Sequence, residues 1–187
     1  MASPNTKREV SKSYSDLYTT PQEAMDALCK HVTFDKSLTY FEPCKGIGNI
    51  SDYMKTKLDI HMETNELFGY SESDFTEDYL KPRKKVSDGW DYDVIVTNPP
   101  YRIAQEFVQE GFKYAKVQYH LLRLNFLEGK RRKQELYSQQ HLKRVFLFSY
   151  RISCAKGVQE EPQANAVAYA WFEFDRDYVG NPELVWL

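Results

Sequence analysis

The spacing of apolar positions changes character several times along the chain, and each change predicts an element. Residues 1–16 are polar and aperiodic, so they read as a flexible arm ahead of the folded domain. Thr20-Pro21-Gln22-Glu23 combines a capping hydroxyl, a proline suited to the first helical position and a glutamate three residues after the cap. Ala24, Ala27, Leu28 and His31 follow at helical spacing, which predicts a helix over 21–32. Residues 38–42 form a short β-type run that ends in Pro43-Cys44-Lys45-Gly46-Ile47-Gly48, and a helical stretch over 50–57 comes next. Residues 58–62 read as a second strand, followed by a polar segment with a turn at Ser73-Asp74-Phe75.

Tyr92-Asp93-Val94-Ile95-Val96-Thr97 is β-branched and apolar in the manner of a buried parallel strand, and Asn98-Pro99-Pro100 stops it. Beyond it, Ile103, Phe107, Val108 and Phe112 recur at helical spacing, 117–124 reads as a strand, 129–140 as a basic helix and 143–149 as a strand. No helix separates the last runs, 166–174 and 183–186, so they are expected to form an antiparallel hairpin at the sheet edge. Alternation of strands with helices implies βαβ units: an α/β fold with a mostly parallel sheet covered on both faces.

Composition narrows the function classes. With 187 residues, 42% hydrophobic and 15% aromatic, the chain is long enough for one domain with a sizeable core. The 25 Lys+Arg against 27 Asp+Glu give a formal charge of −2, so a polyanion partner would have to be held by local patches. Two such patches exist: Lys81, Arg83, Lys84 and Lys85, and Lys130, Arg131, Arg132 and Lys133. Cys29, Cys44 and Cys154 include no C-x-x-C pair and the histidines stand far apart, which disfavours disulfides and a metal site. No apolar run spans a bilayer and no signal segment opens the chain, so a reducing, cytoplasmic compartment is expected.

Two segments carry candidate chemistry. Gly46-x-Gly48 follows a strand, where a missing Cβ lets the backbone approach a ligand, but the third glycine of a dinucleotide loop and the Lys-Ser/Thr of a P-loop are absent. Asn98-Pro99-Pro100-Tyr101 is far more specific, since one specified tetrapeptide arises by chance in such a chain on the order of one time in a thousand. It also stands at the carboxyl end of a central strand, where open α/β sheets bind their ligands.

On these residues the chain resembles the S-adenosylmethionine-dependent methyltransferases of amino groups, most nearly the small phage-type DNA adenine-N6 methyltransferases, over about Tyr18 to Leu187. The resemblance implies a single-domain Rossmann-like fold with a seven-stranded sheet, S-adenosylmethionine as cofactor, no metal, DNA as partner, and the cytoplasm of a bacterial host if the chain is phage-encoded. It implies that Asn98, Pro99, Pro100 and Tyr101 hold the target amine and carry catalysis. It implies cofactor contacts from Tyr18, Thr19, Thr20 and Pro21, from Glu42, Pro43, Cys44, Gly46 and Gly48, and from Asp74, Phe75 and Asn98. The acid for the cofactor ribose is Glu63 or Asp59, with Glu63 preferred because it lies 21 residues after Glu42 and just beyond the predicted strand. No length remains for a separate target-recognition domain. The same turn suits any planar amine, so an RNA base or a protein glutamine amide is an alternative acceptor. A non-catalytic phage protein that keeps the fold is a third reading.

Overall fold

The computed structural model describes residues 17–81, 92–155, 157 and 167–187; the expected arm 1–16 and the cations Arg83, Lys84 and Lys85 lie outside them. In chain order the elements are α1 (Gln22–Cys29), β1 (Tyr40–Glu42), α2 (Asn49–Leu58), β2 (Glu63–Thr64), β3 (Tyr92–Thr97), α3 (Ala104–Gly111), β4 (Ala115–Arg123), α4 (Lys130–Glu135), β5 (Leu142–Leu147), β6 (Tyr169–Asp175) and β7 (Glu183–Trp186). The strands form one seven-stranded sheet in the order β2-β1-β3-β4-β6-β5-β7, parallel throughout except for β6. This is the α/β sheet expected from the alternation of strand and helix, with the seven strands that the resemblance implies.

Both sheet faces are buried, because successive side chains of a strand point to opposite sides. From β3, Val94 and Val96 pack into a cluster with Ala24, Met25 and Leu28 of α1 and Ile50 and Met54 of α2. Ile95, between them, packs on the other face with Phe107 of α3. β6 shows the same alternation: Tyr169 and Trp171 join the α1/α2 side, while Ala170, Phe172 and Phe174 join Val108 of α3. The Trp171 indole donates to the Ala24 carbonyl at 2.9 Å, satisfying its N–H and fixing α1 beneath the sheet.

Several expectations are corrected in detail. The antiparallel pairing at the C-terminal end is β5–β6, not β6–β7: β6 lies inside the sheet, fully buried, and β7 is the exposed edge, parallel to β5. Residues 58–62 are not a strand. Asp59 takes a left-handed conformation (φ 56°) and Ile60 N–H closes onto the Met54 carbonyl, ending α2; Ile60 and Met62 are buried by packing, and the strand begins only at Glu63. The helix expected over 129–140 stops at Glu135, followed by buried Leu136 and a 3-10 turn over Tyr137–Gln139. In α1 the capping box does not form: the cap position is Pro21, in extended conformation, and Thr20 lies outside the helix. Among the described residues no helix is long and apolar enough to cross a membrane.

Candidate active site

The carboxyl ends of β1, β3 and β4 meet at one edge of the sheet with the start of β6, since Arg123 pairs with Tyr169. Onto this edge folds the segment 17–20, tied down when Thr19 N–H donates to the Ala155 carbonyl and Gly157 N–H to the Leu17 carbonyl, each at 2.9 Å. Three sequence-separated pieces thus converge: the N-terminal segment, the glycine loop and the Asn98-Pro99-Pro100-Tyr101 turn.

Asn98 is the centre of the arrangement. Its Nδ2 donates to the Tyr18 carbonyl at 3.0 Å and to Thr20 Oγ1 at 3.2 Å. A backbone carbonyl only accepts, so the amide nitrogen is the end that faces Tyr18 and the oxygen must face away. That oxygen, Oδ1, is buried without a hydrogen-bond partner. Buried side-chain acceptors are nearly always paired, so this oxygen stands out among the polar atoms at the carboxyl end of the sheet.

The Tyr101 ring is enclosed by its neighbours. It is flanked by Tyr18 at 4.9 Å between centroids, by Tyr169 at 5.7 Å and by the Arg123 guanidinium at 4.8 Å. The buried hydroxyl, beside the Cys154 thiol, has its pKa held well above the usual tyrosine range by burial. Arg123 also donates through Nη2 to the Tyr18 hydroxyl at 3.1 Å, while its Nε is buried with no partner. Nothing in the sequence pattern singled out Arg123, because a cation at a strand end looks like any solvated charge until the rings around it are seen.

The glycine loop is shaped by backbone demands. Gly46 and Gly48 have φ of 58° and 95°, a region that L side chains adopt rarely, and a Cβ on Gly46 would come within 3.0 Å of Leu17. Pro43 is buried and its carbonyl accepts from Asn65 Nδ2 at 3.0 Å. The Cys44 thiol meets Thr97 Oγ1 at 2.9 Å and points a second contact at the Asn98 carbonyl, 3.5 Å away, so it ties the loop to the turn; burial keeps the thiol protonated. Glu42, 1% exposed, accepts from the Ser51 N–H at 3.1 Å, and burial pushes its pKa up to about 8 although Ser51 and Lys45 pull it down.

The acids expected to hold the ribose sit elsewhere. Asp59 is 92% exposed and paired with Lys36 at 3.0 Å. Glu63 starts β2 instead of following it, and accepts from the Tyr92 hydroxyl at 2.6 Å. The carboxylate beside the glycine loop is Glu66, which sequence reasoning missed because the strand was placed too early. Its Oε2 accepts from Gly46 N–H at 2.7 Å, its Oε1 from Phe68 N–H at 2.8 Å, and burial raises its pKa. Asp74 receives the Thr64 N–H and hydroxyl, both at 2.8 Å and both on Oδ2; burial pushes its pKa up, but these bonds outweigh that and hold it below the ordinary value. Phe75 bridges to β2 through Phe75 N–H to Thr64 O and Glu66 N–H to Phe75 O, so Asp74 and Glu66 stand on one short ladder. Among the described residues no group of three or more His, Cys, Asp or Glu is placed to hold a metal.

Of the expected nucleic-acid contacts, Lys81 lies 3.8 Å from Asp78. Arg131 is engaged by Glu135 at 2.8 Å and Glu106 at 3.3 Å. Arg132 donates to the carbonyls of Glu128 and Asn125 and lies over the Phe126 ring. Lys130 and Lys133 remain exposed, with no ion-pair partner among the described residues.

Comparison with protein-family models and with curated proteins finds no match. Solved structures do match. The methyltransferase subunit of a type I restriction-modification system from Streptococcus thermophilus aligns over 86% of this chain and 45% of its own, with TM-score 0.63 and 12% identity. A provisionally assigned RNA methyltransferase from Pyrococcus horikoshii aligns over 90% of this chain and 89% of its own, with TM-score 0.59 and 13% identity. A dimethyladenosine transferase from Plasmodium falciparum aligns over 85% of this chain and 62% of its own, with TM-score 0.53 and 14% identity. The chain therefore spans less than half the length of the first of these proteins. At such identities the shared property is the architecture: this chain has the Rossmann-like fold found in those methyltransferases.

Proposed function

We propose that the chain transfers a methyl group from S-adenosylmethionine to the exocyclic N6 amine of adenine in DNA. The observation that carries this reading is the buried, unpartnered Oδ1 of Asn98, held at the carboxyl end of β3 beside an aromatic wall. An aromatic amine is a poor nucleophile because its lone pair is delocalised into the ring. Oδ1 accepts one of its N–H groups, and the Pro99 carbonyl, whose backbone the two prolines restrict, accepts the other. The nitrogen then becomes more tetrahedral and its lone pair is localised toward the donor. Because both acceptors are fixed before the substrate arrives, little reorganisation is left for the reaction itself. Tyr18 and Tyr101, packed on each other with the Arg123 guanidinium over both rings, form the wall beside Asn98 along which an extruded base would lie.

The residues around the glycine loop fit the cofactor. Gly46 and Gly48 leave the backbone bare, Glu66 offers a buried carboxylate for the ribose hydroxyls, and Asp74 keeps Oδ1 for the amine of the cofactor adenine. S-adenosylmethionine, once bound, supplies a methyl already activated on its sulfonium. Holding donor and acceptor in one geometry is worth about 7–11 kcal/mol of the barrier. DNA is favoured as acceptor by the likeness to a restriction-modification methyltransferase subunit, and the RNA and dimethyladenosine enzymes among the neighbours make RNA the competing acceptor. Tritium transfer from labelled S-adenosylmethionine to DNA, RNA and protein in parallel, followed by digestion to nucleosides, tests the reading. Label in N6-methyl-2′-deoxyadenosine from DNA is expected; label in N4-methyl-2′-deoxycytidine, or only in RNA or protein, overturns it.

A further inference from the structure

The two amide hydrogens of Asn98 are both spent on the N-terminal segment, one on the Tyr18 carbonyl and one on the Thr20 hydroxyl. An asparagine left to itself has a broad, nearly two-fold terminal torsion and could present either its oxygen or its NH2 group to a ligand. The Tyr18 carbonyl, which can only accept, removes that freedom, and the Thr20 hydroxyl takes the second amide hydrogen. Thr20 is only 4% exposed, and it forgoes the helix-capping role its position before Pro21 and Glu23 would suit: α1 has no side-chain cap, and the hydroxyl turns to Asn98 instead. The frame behind it is fixed from two further directions, by the Thr19 bond to Ala155 and by the Arg123 bond to the Tyr18 hydroxyl.

We propose that Thr20, with the Tyr18 carbonyl, sets the rotamer of Asn98, so that Oδ1 and not Nδ2 meets the acceptor amine. Thr20 is then a positioning residue of the transfer step and not a cofactor contact. This rests on the reading of Asn98 as the group that accepts the amine hydrogen. It also accounts for an amide at this position. A carboxylate would set a negative oxygen against the Tyr18 carbonyl, where only a donor is tolerated.

Thr20→Val keeps the shape and removes the acceptor. Turnover is expected to fall about tenfold, the effect of one net hydrogen bond, with the calorimetric affinity for S-adenosylmethionine essentially unchanged, and Thr20→Ser is expected to restore turnover. Unchanged turnover, or intact turnover with weakened cofactor binding, overturns the assignment. A second variant reads the Tyr18 half of the same frame if Thr20→Val fails to fold. In Asn98→Asp only the protonated carboxyl can donate to the Tyr18 carbonyl, so its turnover relative to wild type is expected to rise as pH falls. The neighbouring groups are the Arg123 guanidinium and the Cys44 thiol, which burial keeps protonated. A ratio that does not change with pH overturns the proposal. Should the wild type transfer no methyl to any acceptor, the functional reading fails, and amide exchange decides the positioning role separately. With asparagine 15N-labelled, the side-chain protons of Asn98, assigned by their loss in Asn98→Ala, are expected to exchange slowly in the wild type and faster in Thr20→Val. Equally fast exchange in both overturns it.

Discussion

The two ends of the sheet bury polar groups in opposite ways. At the amino end of β4 and β5, Glu173 is 2% exposed, yet it is paired with Arg144 and lies 3.7 Å from Lys143; the Tyr119 hydroxyl also reaches it at 3.5 Å. Asp175 beside it takes Lys143 at 2.9 Å and the Asp177 N–H at 3.1 Å. At the carboxyl end, Asn98 Oδ1 and Arg123 Nε are buried without partners, and the Tyr101 hydroxyl has only the Cys154 thiol beside it. A fully paired cluster holds strands together, whereas a cluster of oriented but unpaired atoms is held only by its surroundings. An orphan atom alone does not make a site: His120 Nδ1 is also buried and unpaired, but it lies within β4 between the two ends, its ring bonded to Gln118, and burial lowers its pKa to about 3, so it stays neutral.

The comparison breaks if the two ends respond alike to substitution. Asn98→Ala is expected to lower turnover by about 2.7–4 kcal/mol of barrier, by analogy with loss of one preorganised partner of the transition state, while leaving cofactor affinity intact. Its stability should drop by about 1–2 kcal/mol, because the two bonds it removes are ordinary neutral ones. Single-turnover kinetics, calorimetry and urea unfolding read the three quantities. Glu173→Ala is expected to do the reverse. Removing one partner of a buried ion pair costs about 3–5 kcal/mol, and the low end applies here because Arg144 and Lys143 are partly solvated and can rehydrate. Turnover per folded molecule should be unchanged. A Glu173 variant as stable as wild type would remove the structural half of the contrast.

How much of this was legible in the sequence depends on whether the signal was local. β3 was placed residue for residue, since a β-branched run closed by Asn98-Pro99-Pro100 carries its own boundaries. The site's edge of the sheet followed from it. What failed were features set by distant partners. Thr20 reads as a helix cap until Asn98, 78 residues away, competes for its hydroxyl. Glu66 was hidden by a strand drawn over 58–62, where burial of Ile60 and Met62 against α1 and α2 mimics strand alternation. β6 reads as an edge because no helix separates it from β7, and only the pairing with both β4 and β5 shows it to be interior. Tyr101 carries no trace in sequence of the rings and guanidinium around it.

Proton linkage sharpens the contrast at intermediate size. Glu42 lies at the site end with its pKa pushed up to about 8 by burial, against about 4.5 when unfolded. Between these values the folded chain holds a proton that the unfolded chain has released, so stability falls as pH rises through that window and levels off above it. Its stabilising effect is complete below about pH 4.5 and lost above about pH 8. The slope is at most about 1.4 kcal/mol per pH unit. Glu42→Gln removes the titrating group, so the wild-type melting temperature, taken relative to that variant, should decline from pH 5 to pH 8. A difference that stays flat would show that the Glu42 carboxyl is charged and compensated in the folded chain.

The smallest expected effect concerns the exposed cations of α4, where pairing again separates structure from function. Arg131 spends its charge on Glu106 and Glu135, which ties α4 to α3, and Arg132 spends its donors on two backbone carbonyls. Neither is free to neutralise a phosphate without giving up those bonds. Lys130 and Lys133 lie one helical turn apart with no ion-pair partner among the described residues, and side chains three apart share a helix face. If that face grips DNA, replacing either lysine by alanine should reduce the slope of log affinity against log salt by about 0.9, the counterions of one phosphate contact. Arg131→Ala should leave the slope unchanged and cost a fraction of a kcal/mol in stability, about 0.3–0.5 for an exposed helical pair. Fluorescence anisotropy with labelled duplex at several salt concentrations measures the slopes. If Arg131→Ala alters the slope as much as Lys130→Ala does, pairing does not distinguish structural from ligand-binding charges on α4, and the contrast between the two ends of the sheet does not extend to the surface.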